Sequence, residues 1–91
     1  MPRPKKCRKM CCNPQANYFK PRGIPISMLN EIVLNRDEFD SLKLSDIDKL
    51  SQEEAAIQLG VSRQTYGRIL ISAHQKIAMA MVNGFALKIE Q

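Results

Sequence analysis

No stretch of this 91-residue chain approaches the ~18 consecutive apolar residues that a membrane-spanning helix needs. The basic N-terminus is not followed by the apolar core of a signal peptide. A cytoplasmic protein with no membrane partner is therefore expected. Three cysteines, an odd number, argue against a secreted disulfide framework. No GxGxxG, P-loop, HExxH or nucleophile elbow is present. The acids stand at the starts of predicted helices, where capping and the helix dipole account for them, so no enzyme is expected and no catalytic residue is named. There is no internal repeat and no low-complexity segment, and residues 1–22 contain no acid at all.

The chain is long enough for one small domain with one modest core. Its net charge is +5 and its pI about 9.4, which favours an anionic partner. The charge is unevenly distributed. Residues 1–22 carry seven Lys or Arg, residues 23–58 carry eight acids against three bases, and residues 59–91 carry four bases against one acid. Basic ends around an acidic middle fit a nucleic-acid footprint better than uniform basicity would.

The segment QEEAAIQLGVSRQTYGRILI, residues 52–71, carries the most information. Ser51 and Glu54 form the pattern of a capping box. Ala55, Ala56 and Leu59 then share one helical face. Gly60 can take the positive φ that ends this helix. Val61 points back to the core, and Ser62 caps a second helix in which Tyr66, Ile69 and Leu70 recur at helical spacing. The remaining face holds Ser62, Arg63, Gln64, Gly67 and Arg68. This is the layout of a DNA-binding helix-turn-helix. Arg63, Gln64 and Arg68 are the candidates for base-edge contact, since Arg can grip guanine and Gln adenine with two hydrogen bonds each. Ser62, Thr65 and Gln52 are candidates for phosphate contact at helix N-termini. For Thr65, a capping or core-edge role is an equal alternative.

Around this segment, residues 1–22 read as an irregular basic arm, with Tyr18 and Phe19 packing on the body. Arg3, Lys5, Lys6, Arg8 and Lys9 are either a phosphate-tracking, minor-groove arm or a solvated tail. Ser27 is read as capping one helical turn through Glu31, and residues 32–34 as a short strand. Asn35 and Glu38 predict a helix over 36–48, with Phe39, Leu42 and Ile47 on its buried side. The last helix is predicted over 63–82. Its apolar stripe is Ile69, Leu70, Ala73, Ile77, Ala80 and Met81, and Asn83-Gly84 is its stop. Phe85, Leu87 and Ile89 then alternate with Ala86, Lys88 and Glu90 as in a half-buried strand. Its partner is residues 32–34 or the same strand of a second chain. Met10, Met28, Met79 and Met81 read as core filler.

Cys7, Cys11 and Cys12 form C-x3-C-C. Thiolates among cations suit zinc or an iron–sulfur cluster, but a structural zinc site wants four ligands, and the one histidine, His74, reads as a boundary residue of the last helix. Reduced or redox-sensitive thiols are the alternative.

These residues support a resemblance. Through MPRPKKCRKMCC, NYFKPRGIP, DEFDSLKLSD, QEEAAIQLGVSRQTYGRI and VNGFALKIE, the chain resembles an uncharacterised prokaryotic family of small DNA-binding proteins, domain of unknown function 134. Residues 37–74 also look like region four of bacterial sigma factors, which reads promoter DNA with a helix-turn-helix. The resemblance supports DNA binding but supplies no target. Some relatives continue into a domain similar to nitrogenase cofactor-binding proteins, which implies no more than a hint of metal biology. The expected fold is thus mainly α. It comprises a basic arm at 1–22 and, over 23–91, a sigma-region-four-like three-helix domain with one or two short strands. The expected function is sequence-specific binding of double-stranded DNA in transcriptional regulation. A lone helix-turn-helix reads few base pairs, so a homodimer is expected, joined through the C-terminal apolar stripe and strand. Two alternatives stand beside it: a metal- or cluster-binding interaction module built on the cysteines, and a sigma-like factor bound to RNA polymerase.

Overall fold

The structure, a computed structural model, describes residues 16–90. It is mainly helical, with a small three-stranded sheet. In chain order the elements are β1 (Tyr18–Phe19), β2 (Glu31–Leu34), α1 (Arg36–Leu42), α2 (Gln52–Leu59), α3 (Arg63–Asn83) and β3 (Ala86–Ile89). β3 is the middle strand. It pairs antiparallel with β1 and parallel with β2.

Local chemistry sets the helix ends. Asn35 Oδ1 accepts from the Glu38 N–H at 2.9 Å, and Glu38 Oε1 accepts from the Asn35 N–H at 2.9 Å, completing a capping box at α1. Ser51 and Glu54 do the same at α2. α2 ends at Gly60, whose φ of 84° is left-handed, and the Val61 N–H closes back on the Ala56 carbonyl at 3.0 Å. Gly84, at φ 73°, ends α3 in the same way, with the Phe85 N–H on the Ala80 carbonyl at 2.9 Å.

α3 threads the whole molecule. Its first half packs on the turn that follows α1 and on α2 through Tyr66 and Leu70, which meet Leu44, Ala55, Ala56 and Leu59. Further along, Ala73 packs with Leu34 of β2 and Ile89 of β3. Leu42 borders both clusters and joins them. Ala55 and Ala56 are buried where α2 meets α3, and their small side chains let the two helices approach closely.

Several expectations need correction. The turn expected from Ser27 is a 3-10 turn over Ile26–Met28 that follows Pro25 with no side-chain cap, and Glu31 already belongs to β2. The helix expected over 36–48 keeps α geometry only to Leu42 and widens into a π-helical turn over Lys43–Ile47. There the Asp48 N–H reaches the Lys43 carbonyl at 2.9 Å, and Lys43 Nζ clamps Asp48 Oδ2 at 2.7 Å. The wider turn rotates Ile47 out of the core, and it is 73% exposed. Met28, Met79 and Met81 are exposed and fill no core; Met10 lies outside the described residues. In β3, Ile89 is buried and Lys88 exposed, as alternation predicts, but Ala86 is fully buried too. Its N–H is held by the Asn30 carbonyl, and a methyl between paired strands leaves little for water to reach.

Candidate nucleic-acid interface

The turn 60–62 sets α3 across α2 and leaves the first turns of α3 in solvent. Ser62, Arg63, Gln64, Thr65 and Arg68 are all exposed, while Tyr66 between them is fully buried. Ser62 is the N-cap: its Oγ accepts from the Thr65 N–H at 3.1 Å and donates to Thr65 Oγ1 at 2.9 Å. Thr65 is therefore engaged in the cap, the alternative the sequence left open. Arg63 and Arg68 make no ion pair among the described residues. Both are exposed, on a helix start that carries no acid.

Gln52 and Gly67 are brought together. A methyl group at Gly67 would stand 3.4 Å from Gln52 Oε1. That is an ordinary contact distance, so the first residue of α2 lies close to the second turn of α3 without glycine being required there. The same helix start also carries Glu53 and Glu54, both exposed. Their charge repels phosphate, so Gln52 is a weaker candidate for backbone contact than the α3 residues. The arm candidates Arg3, Lys5, Lys6, Arg8 and Lys9, and the metal candidates Cys7, Cys11 and Cys12, lie outside the described residues. His74 is exposed and pairs with Asp46, Nε2 to Oδ2 at 2.8 Å. Among the described residues no cluster of three or more His, Cys, Asp or Glu is placed to hold a metal, and no helix is long and apolar enough to cross a membrane.

The whole length of the chain, residues 1–91, matches the family described as "Protein of unknown function DUF134". The chain belongs to this family. It is 52% identical over 89 residues to a UPF0251 protein of Shewanella oneidensis, covering 98% of this chain and 91% of that one. A UPF0251 protein of Thermoanaerobacter sp. is 48% identical over 90 residues, with 99% and 80% covered. One from Dehalococcoides mccartyi is 49% identical over 90 residues, with 99% and 77% covered. No solved structure matches.

In this DUF134 chain a buried polar frame holds the exposed face in place, and the sequence reading missed it. The Tyr66 hydroxyl donates to the Ser41 carbonyl at 2.9 Å and is hydrogen-bonded to Ser45 Oγ. This ties α3 to α1 and the π-helical turn, directly behind Arg63 and Arg68. One turn and a half further on, Ser72 Oγ donates to Glu38 Oε2, and Lys76 Nζ donates to Glu38 Oε1 at 2.8 Å and to the Val33 carbonyl at 2.8 Å. Glu38 is only 4% exposed. Burial pushes its carboxyl pKa up, but hydrogen bonds from Lys76, Ser72 and the Asn35 N–H outweigh that and hold it below the usual glutamate value. No local signal marks it, since Ser72 and Lys76 lie 34 and 38 residues from Glu38 in sequence.

Proposed function

We propose that this protein binds double-stranded DNA sequence-specifically and acts in transcriptional regulation. In this reading α2, the turn at Gly60 and α3 work as a helix-turn-helix of the sigma-region-four kind. The first turns of α3 enter the major groove. Arg63, Gln64 and Arg68 contact base edges. Ser62 and the N-terminal N–H groups of α3, with the helix dipole behind them, hold a phosphate. Gln52 supports that contact from α2. The observation that carries the reading is the acid-free start of α3, where two arginines without ion-pair partners among the described residues stand exposed over a fully buried Tyr66. Exposed helix faces that serve only solubility mix charges of both signs. The net charge of +5 supports the same partner.

Selection from a pool of random duplexes tests it. The full chain should enrich a short motif, with guanine at one or more of its contacted positions. Equal affinity for every duplex in the pool would exclude sequence-specific readout.

A further inference from the structure

The apolar residues of α3 do not all serve its own core. Residues 77–82, IAMAMV, are apolar without interruption. Of these Ala80 is buried and Ile77 half-buried, while Ala78, Met79, Met81 and Val82 are exposed, Met81 at 77% and Val82 at 82%. The buried residues of the helix are Tyr66, Leu70, Ala73 and Ala80, at intervals of four, three and seven. Ile71, Ala78 and Val82, at intervals of seven and four, form a second line on the opposite side. A helix that is apolar on every side is at home in water only when every side is covered.

We infer that a second copy of this chain covers it, in a two-fold interface built on Ala78, Met79, Met81 and Val82. Three observations select that occupant. Residues 77–87 contain no charged side chain, so the ridge itself meets its copy without like-charge repulsion and offers no charge to a partner selected by charge. Beside the ridge lies a hollow of about 360 Å³, lined by Phe19, Pro21, Ala80, Met81, Phe85 and Leu87, with Lys20 the one charged residue at it among the described residues. A two-fold contact requires knob and hollow on the same molecule, each serving the other copy. Finally, both edges of β3 are already paired, with β1 and β2. Copies therefore cannot join through β3, as the sequence left open.

The arrangement suits the DNA reading, although the interface does not depend on it. The Arg63 and Arg68 region lies roughly 15 residues from the centre of the ridge, about 22 Å along the helix. Collinear copies would hold the two reading ends about 44 Å apart. Inclined copies approach the about 34 Å that separates half-sites one DNA turn apart.

Sedimentation of the full chain in reducing buffer, without DNA, tests the inference apart from any DNA binding. Wild type should sediment with twice the mass of the 10.4 kDa chain. Val82→Glu should sediment as a single chain, with unchanged helical circular dichroism. Ala78→Lys probes the same face should Val82→Glu lose helix. Ile57→Glu, an equally exposed apolar position on α2, should leave the dimer intact. A wild type that stays monomeric at high micromolar concentration would overturn the inference. So would a folded Val82→Glu that dimerises as tightly as wild type. Failure of the duplex selection beside a dimer broken by Val82→Glu would remove the DNA reading and leave the interface standing.

Discussion

Glu38 does two jobs with one carboxylate. It caps α1, and through Ser72 and Lys76 it fastens α1 to α3. Its pKa is lower in the folded chain than in the unfolded one. The stability it contributes is therefore fully present above the ordinary glutamate range and is lost as pH falls through the folded value, where protonation removes the acceptor. The melting temperature should fall on acidification below that range, and Glu38→Gln should show a shallower fall than wild type. Parallel pH profiles for the two would mean that the carboxylate is not a stabilising group. The cap was legible because it needs only Asn35 and Glu38 three residues apart. The link to Lys76 was not, since it joins residues 38 apart in sequence. Tyr66 was legible as an inward-facing ring. Its hydroxyl bond to Ser41 depends on how α3 crosses α1, which no periodicity reveals.

Among the elements, the turn between α2 and α3 is the most tightly specified. Gly60 holds φ at 84°, and no atom would contact an added Cβ, so the constraint is backbone conformation and not space. Gly60→Val should cost about 1–3 kcal/mol of stability, because a β-branched residue resists a left-handed backbone. Thermal or denaturant unfolding measures it, and a melt equal to wild type would refute the strained turn. Elements whose signals are local were readable: the two capping boxes, the Gly60 and Gly84 stops, and α3 to within one residue of its end. The π-helical turn was not. Its sequence, KLSDI, continues a plausible α pattern, and the widening is seen only in the Asp48 to Lys43 bond and the ejected Ile47. β1 was equally obscure, since two residues set no pattern and its place comes from pairing with β3 at the far end of the chain.

At the scale of the molecule, one long helix joins three regions of different character. Its start is basic and exposed, its middle is bound to the frame of Glu38 and Tyr66, and its end carries an uncharged apolar ridge. Apolar periodicity gave a single stripe on α3, ending at Met81. The structure divides the apolar residues between an inner line and an outer one, a distinction that needs the positions of α1 and the sheet. The central claim is that the start of α3 reads DNA. The most direct measurement is the affinity of wild type, Arg63→Ala and Arg68→Ala for the selected duplex at matched salt. Each substitution should weaken binding by about 1–3 kcal/mol, with melting unchanged, because neither side chain is buried. Both variants binding as tightly as wild type would contradict the account.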